Sequence, residues 1–295
     1  MTELVQDRPV TAPAAPASVA DIKPVRRKRR DVGAVFGAAW IALVVLAAIF
    51  ADVLPLPDPN AVTNAFSAPP GGAHLLGTDA IGRDVLSRIV HGARISMAVA
   101  IGATSIAMVI GVTLGMVAGY FRGAADSAIG IAVNFMLSFP PLIFLIAMVT
   151  ALQPGLVTLV VALALLGVPN FARVARANTI AFADREFVTA AKALGARPIR
   201  ILTRELLVNV MLPVMSLALV VMATLVVAEG SLSFLGVGVP PPAPSWGGML
   251  AAGRESLREH PLLVLIPALF FFLTVFAFNR LGDWARGRVG RESSI

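Results

Sequence analysis

Long stretches without charged residues constrain the fold of this chain more than any other feature. A helix that crosses the hydrocarbon core of a bilayer needs about 20 apolar residues, because unpaired backbone groups are costly in lipid. Such stretches occupy residues 32–51, 95–121, 127–172, 206–228 and 261–279, and the third is long enough for two helices. Only 14% of the residues are charged, whereas soluble domains carry about a quarter. The sequence therefore predicts an all-α fold, a polytopic membrane helix bundle with six transmembrane helices.

Turn residues decide how these stretches are divided. Gln153, Pro154 and Gly155 form a turn signal that splits residues 127–172 into two spans. The run that follows Glu229 is also uncharged, but the four prolines within residues 240–244 exclude a spanning helix there. The number of predicted spans is therefore six.

Basic residues predict the orientation of the bundle. With six spans both termini lie on one side, and nineteen of the 24 lysines and arginines then fall on that side. The five on the other side are Arg83, Arg88, Arg94, Arg254 and Arg258. Because cytoplasmic segments carry the excess of Lys and Arg, we expect an inner (plasma) membrane protein with cytoplasmic N- and C-termini. The basic run at 26–30 is then an orientation signal that meets membrane lipids, and no nucleic-acid partner is expected.

Five segments follow from these patterns. We expect a mostly disordered, basic cytoplasmic tail at 1–31, a first transmembrane helix at 32–54 and a cytoplasmic C-terminal tail at 285–295. Residues 55–94 are expected to form a periplasmic loop and an amphipathic interface helix. This helix either is a strut at the membrane surface or contacts a partner. The apolar residues that recur there at helical spacing are Ile81, Val85, Ile89 and Ala93. Residues 95–284 form the core domain.

A short cytoplasmic helix is predicted at about 184–197, within the segment between the fourth and fifth spans. Asp184 is a suitable N-cap, Gly195 can end the helix in the left-handed conformation, and Pro198 prevents its continuation. One apolar face consists of Phe187, Ala190, Ala191 and Leu194. Such a face either docks into a groove on a partner protein or packs back on its own bundle, and the pattern favours neither.

The sequence lacks the residue patterns that are typical of catalytic, metal-binding or nucleotide-binding sites. The chain has no cysteine, its three histidines are far apart, and no lysine follows a glycine as a phosphate-binding loop requires. We therefore expect a non-catalytic chain without a metal site or a bound cofactor. Candidates for a pathway or gate are Asn209, Pro213 and Glu229. The favoured interpretation places Glu229 at the outer interface, bonded to nearby backbone, because an ionisable group costs less free energy at the end of a span than at its centre.

Residues 186–195 resemble the cytoplasmic signature of permease subunits of binding-protein-dependent ABC importers. In that family the segment is a coupling helix that seats in a cleft of the ATPase subunit. The resemblance assigns this contact to Glu186, Phe187, Ala190, Ala191, Leu194, Gly195 and Arg197. Thr189 stands where the family usually has a glutamate, and Val208 stands where it usually has a proline.

Other segments resemble the C-type subunit of dipeptide and oligopeptide permeases. Residues 76–88 are similar to its outer-loop signature, and residues 231–236 and 244–247 are similar to further motifs. The periplasmic signature residues are Gly77, Thr78, Asp79, Gly82, Arg83 and Asp84. The family often carries Arg and Asp where this chain has Ile131 and Asn134, so we expect a polar contact to be missing in the third span.

The resemblance implies a type I ABC importer permease fold and a set of partners. These are a homologous B-type permease subunit, two ATPase subunits or one fused ATPase that hold ATP and Mg, and an extracytoplasmic peptide-binding protein. The implied function is the import of dipeptides or oligopeptides by alternating access. Two alternatives stay open: the same machine importing nickel chelates, haem or glycosides, and an ATP-independent channel or membrane scaffold.

Overall fold

Helices make up most of the chain in this computed structural model, which describes residues 31–292 and the side chains as far as residue 288. In chain order they are α1 (Val32–Ile49), α2 (Val85–Phe121), α3 (Gly123–Ser138), α4 (Pro141–Leu152), α5 (Leu156–Ala183), α6 (Glu186–Ala193), α7 (Pro198–Arg200), α8 (Leu207–Phe234), α9 (Trp246–Gly253) and α10 (Leu262–Glu292). Between residues 31 and 292 the only β-type pairing is one isolated bridge, so the all-α prediction is confirmed. The predicted tail at 1–31 lies, apart from Asp31, outside the described residues.

Five helical stretches are long and apolar enough to cross a membrane on their own. They are α1, α2, α5, the continuous stretch Pro198–Phe234 and α10. Helices α3 and α4 make a sixth span only as a pair, because a bend of 90° separates them. The sequence predicts one span here, up to the turn at Gln153–Gly155. The bend lies at Phe139 and Pro140, whose backbones are extended, since proline excludes a helical conformation from the residue before it.

The centre of the bundle is the parallel helix pair α2 and α5, which packs through small residues. Gly111, Gly115 and Gly119 recur every four residues and therefore lie on one face of α2. That face lies against α5: a Cβ atom on Gly111 would be 2.6 Å from the Cβ of Phe171, and one on Gly119 would be 2.9 Å from the Cβ of Thr179. Both contact positions advance in the same direction, so the helices are parallel. Glycine lets their backbones approach closely, as in other membrane helix pairs.

Charged pairs mark the two ends of the bundle. At one end Arg122 Nη2 donates to Asp184 Oδ2 at 2.8 Å, which joins the carboxyl ends of α2 and α5. We call this the basic end. At the opposite end Arg94 Nη1 lies 2.9 Å from Asp52 Oδ2 and joins the start of α2 to the segment after α1. These pairs fix which helix termini meet, and they place the segment that contains α6 at the basic end.

Helix α2 begins ten residues before the span that the sequence predicts at 95–121. Helix α2 starts at Val85 and runs unbroken to its end, so no separate amphipathic helix precedes the second span. Asp84 is its N-cap, and Asp84 Oδ1 accepts a hydrogen bond from the backbone N of Ser87 at 2.8 Å. The predicted interface helix is thus the first part of α2, because no proline or turn separates the two parts.

Helices α5 and α10 extend further than the sequence suggested. Helix α5 continues to Ala183, which places Arg173 and Arg176 inside the helix rather than in the segment after it. Helix α10 continues to Glu292, through most of the predicted tail at 285–295. Polar residues do not end a helix by themselves, and no proline stops either helix at the predicted boundary.

Candidate functional site

A short helix stands at the basic end between two membrane-spanning helices. Gly195 ends it with φ of +76°, and its backbone N donates to the carbonyl of Lys192 at 3.0 Å. The backbone N of Ala196 donates to the carbonyl of Ala191, also at 3.0 Å. This pair of bonds is the Schellman ending that the sequence predicts from the glycine. Asp184 is not the N-cap, because it ends α5 and its carboxylate is held by Arg122 instead.

The apolar residues of α6 divide between two directions. Val188 is fully buried and joins the main core together with Ile201 and Leu206. Leu194 points the other way and is 88% exposed, and Phe187 is 37% exposed. The two interpretations of the predicted face therefore both describe part of the helix: one side packs back on the bundle, and the other side is free. Val188 lies outside the predicted apolar face, although its spacing from Ala191 is helical.

A cation–π contact and an altered helix connect α6 to the bundle. Lys192 Nζ lies 5.5 Å from the centre of the Tyr120 ring at the end of α2, within reach of a cation–π attraction. After α7 the chain forms a π-helical segment, Ile201–Leu206, which leads directly into α8. Single π-helical turns are rare and often mark functional positions. Helix α6 is thus linked to both α2 and α8.

Asn209 and Pro213, the candidate gate residues, lie in the first two turns of α8. The Asn209 side chain donates from Nδ2 to the carbonyl of Glu205 at 2.7 Å, and Ser216 Oγ donates to the carbonyl of Pro213 at 2.8 Å. Helix α8 continues through both positions. The irregular helical geometry lies one turn earlier, at Ile201–Leu206.

The signature loop (residues 76–84) is folded by its own residues. Asp79 Oδ1 accepts hydrogen bonds from the backbone N of Ile81 at 3.0 Å and of Arg83 at 2.9 Å, and Asp79 Oδ2 accepts one from Arg83 Nε at 2.7 Å. Thr78 Oγ1 accepts from the backbone N of Ala68 at 2.9 Å and donates to the carbonyl of Ala65. These signature residues thus stabilise the loop rather than present free polar groups.

The two signature glycines are required by the close approach of neighbouring backbone. Gly77 has φ of +80° and Gly82 has φ of +86°, which side-chain-bearing residues rarely adopt. The carbonyl of Gly82 accepts two bonds from Thr63, one from the backbone N at 3.0 Å and one from Oγ1 at 2.7 Å. A Cβ atom on Gly82 would overlap the carbonyl oxygen of Thr63.

Alanine at Gly82 is expected to loosen this loop. The positive φ costs about 1–3 kcal/mol for a residue with a Cβ atom, and the Cβ would displace Thr63 as well. Limited proteolysis of the purified protein should therefore cut the Gly82→Ala loop at least several times faster. Gly72→Ala is the control, because that glycine has nothing within 4 Å. Equal cleavage of the two variants would contradict the structural role of Gly82.

Glu229 is fully buried within α8, near the opposite end of the bundle. Ser233 Oγ donates to Glu229 Oε1 at 2.8 Å, and Ser96 Oγ of α2 donates to Glu229 Oε2 at 3.5 Å. Ser96 Oγ also accepts from the backbone N of Trp246 at 3.4 Å, at the start of α9. The favoured expectation of bonds to nearby backbone is wrong, because the carboxylate accepts its hydrogen bonds from side chains. Glu229 instead centres a side-chain junction, called the Glu229 junction, that joins α2, α8 and α9.

Polar contacts also join α3 to α5 near the basic end. Asp126 forms an ion pair with Arg176, including a bond of 2.6 Å from Arg176 Nη2 to Asp126 Oδ2. Asn134 Oδ1 accepts a hydrogen bond from Arg173 Nη2 at 3.0 Å. The expectation that a polar contact is missing from the third span is therefore wrong. The asparagine supplies one, because α5 is long enough to bring Arg173 beside it.

Comparison with known sequences finds transport permeases. The family described as the binding-protein-dependent transport system inner membrane component matches residues 111–291. A glutathione transport system permease protein of Pectobacterium atrosepticum is 36% identical over 266 residues, 88% of this chain and 87% of the relative. A dipeptide transport system permease protein of Alkalihalophilus pseudofirmus is 37% identical over 263 residues, 88% of this chain and 86% of the relative.

Comparison with solved structures finds the same fold. A chain of the methionine ABC transporter MetNI in an inward-facing conformation superposes with a TM-score of 0.53 at 21% identity, and the match covers 67% of this chain and 96% of that one. A chain of an amino acid ABC transporter matches with a TM-score of 0.53 at 13% identity, and it covers 69% of this chain and 94% of that one. At these identities the likeness concerns the fold alone.

Proposed function

This chain belongs to the family of binding-protein-dependent transport system inner membrane components and is a permease subunit of an ABC importer, and we propose that its cargo is a dipeptide or oligopeptide. The cargo is supported by the relatives, which include permeases named for dipeptides, for di/tripeptides and for glutathione. In this proposal the peptide is delivered by an extracytoplasmic binding protein. ATP and Mg bind to separate ATPase subunits, either two chains or one fused chain.

The observation that carries the proposal is the exposed side of α6. Leu194 is 88% exposed at a helix end stabilised by two backbone hydrogen bonds, while Val188 anchors the same helix in the core. A large apolar side chain held rigidly beyond the membrane spans is suited to a hydrophobic pocket on another protein. The partner proposed for this site is the ATPase. Glu186, Phe187, Ala190 and Arg197, all exposed around Leu194, would complete the contact.

The orientation that this proposal needs agrees with the charges. Basic residues gather at the end of the bundle that holds α6, and cytoplasmic segments carry such an excess. We therefore place the basic end and both termini in the cytoplasm and the chain in the inner membrane. The signature loop then faces outward, where the binding protein would release its peptide.

Transport itself would follow from two packings of the bundle. ATP binding would draw the α6 helices of this chain and a homologous B-type permease together, and the displacement would pass through Ile201–Leu206 to α8. A bundle with two arrangements responds in this way when each ligand favours a different one. Asn209 and Pro213 are proposed to move with this part of α8.

Replacing Leu194 by serine tests the proposed coupling. Loss of a buried apolar anchor costs about 1.4 kcal/mol or more, which is a tenfold loss of ATPase affinity. ATP-driven peptide uptake into proteoliposomes should fall to a similar degree at limiting ATPase. The fold should not change, because the Leu194 side chain is almost fully exposed.

Leu75→Ser is the matched control, because Leu75 is 68% exposed but follows α1 on the outward side. It should bind the ATPase and transport as the unchanged chain does. Equal ATPase affinity in the Leu194 variant would refute the docking role of α6. If no ATPase copurifies with the unchanged chain, an ATP-independent channel or scaffold is the better description. Binding of nickel chelates, haem or glycosides, rather than peptides, by the partner binding protein would overturn the proposed cargo.

A further inference from the structure

A cleft opens between α2, α3 and α5 toward the basic end of the bundle. Its volume is about 270 Å³, enough for the end of a small solute. The residues that line it include Gly115, Ile129, Asp126, Asn134, Arg173 and Arg176. The polar members come from α3 and α5, while α2 contributes only small residues. The glycine face that brings α2 close to α5 therefore also forms the wall of this cleft.

The two arginines of the cleft differ in their charge balance. Arg176 bonds to both carboxylate oxygens of Asp126, so this pair carries no net charge. Arg173 bonds only to the neutral side chain of Asn134. Within residues 31–288, no carboxylate lies within 4 Å of the Arg173 guanidinium. The cleft as a whole thus holds one uncompensated positive charge, located on Arg173.

Arg173 stands away from the end of its helix and has apolar side chains around it. Arg173 lies ten residues before the end of α5, which is about 15 Å along a helix. It lines the same cleft as Gly115, which lies within the uncharged part of α2. Neighbouring side chains on the free face of α3 are apolar, since Ile131 is 71% exposed and Phe135 is 64% exposed. An ionised group among apolar ones faces a water-filled path, a partner charge or a ligand.

We propose that Arg173 binds the terminal carboxylate of the peptide while the cargo crosses the membrane. The guanidinium presents paired N–H donors that match a carboxylate. Asn134 uses its Oδ1 to hold Arg173, which leaves its amide Nδ2 to donate to the same cargo. The inference rests on the proposed peptide cargo and assigns a recognition site to it. A lipid phosphate offers similar oxyanion chemistry, and the test separates that source.

The experiment combines a change in Arg173 with a change in the cargo. The assembled importer in proteoliposomes is given one peptide as the free acid and as its carboxyl-terminal amide. Arg173→Gln should lower uptake of the free acid about tenfold, since it removes a charge-assisted hydrogen bond to the cargo. Uptake of the amide should change less than about twofold. The preference of the binding protein cancels, because it is identical for both variants.

Three companion measurements sharpen this result. Arg173→Lys keeps the charge and should recover part of the free-acid uptake. Arg286→Gln is the control, because Arg286 pairs with the nearby Asp283 on α10, outside the cleft. Vesicles with and without anionic lipid should give the same Arg173 effect. An effect that appears only with anionic lipid would assign the site to a head group and overturn the proposal.

A second readout does not depend on transport of the amide. The chain contains no cysteine, so Ile129→Cys places a single thiol at the cleft. The free-acid peptide should slow its reaction with a negatively charged thiosulfonate reagent, and Arg173→Gln should abolish that protection. If the peptide gives no protection, or if Arg173→Gln lowers uptake of the acid and the amide equally, the proposal is overturned. Arg173 then pairs with a protein carboxylate rather than with the cargo. If the unchanged importer carries no peptide, the proposed function fails rather than this site.

Discussion

Leucine at position 115 will prevent α2 and α5 from packing against each other, and no assembled importer will be recovered. A Cβ atom at Gly115 would lie 2.8 Å from the Cβ of Ala175 and 2.8 Å from the backbone N of Arg176. The obstacle is the backbone of α5, which cannot move aside as a flexible side chain can. Alanine should lower the free energy of unfolding by about 1–3 kcal/mol, the usual cost of overpacking. Leucine adds three more carbons and exceeds any adjustment that the pair allows.

Tryptophan fluorescence melting of the purified chain measures this effect, and copurification with partner subunits measures assembly. Gly287→Leu in α10 is the control, because nothing lies within 4 Å of that glycine. The intrinsic preference of helices for leucine over glycine, about 0.5–1 kcal/mol, applies to both positions. A stabilising result at Gly115 would show that α2 and α5 are not packed backbone to backbone.

The sequence predicts features that depend on neighbouring residues along the chain. The spans follow from apolar length, and the basic end follows from the distribution of arginine and lysine. The ending of α6 follows from Gly195 alone, because only glycine suits that backbone conformation readily. The repeat of Gly111, Gly115 and Gly119 is also a sequence pattern typical of close helix packing.

Features that need distant residues to meet could not be predicted in the same way. The partners of Glu229 include Ser96, which is 133 residues away along the chain. The bond between Asn134 and Arg173 requires that α5 extend beyond its uncharged part. Neither pairing leaves a periodic pattern in the sequence. Apolar composition is a poor guide here, because most residues of each span are apolar whether they face lipid, core or a polar group.

Replacing Glu229 by leucine should lower the free energy of unfolding by about 2–4 kcal/mol, because each buried polar group left unpaired costs about 1–3 kcal/mol. Ser96 and Ser233 would both lose their acceptor within a region that water does not reach. Glutamine keeps a side-chain oxygen in nearly the same position, so Glu229→Gln should retain most of the stability. Thermal melting of the purified chain should give the highest melting temperature for the unchanged chain, a slightly lower one for the glutamine variant and the lowest for the leucine variant.

A double-mutant cycle identifies the hydrogen bond as the cause. Ser96→Ala should cost less in the Glu229→Leu background than in the unchanged chain, since the lost bond is counted only once. Glu255→Leu is the control, because Glu255 is an exposed carboxylate near the same end of the bundle and surface changes stay within about 0.5 kcal/mol. Equal damage by glutamine and leucine would instead make ionisation of Glu229 the essential property. Additive costs for Ser96 and Glu229 would show that apolar contacts alone join α2 and α8.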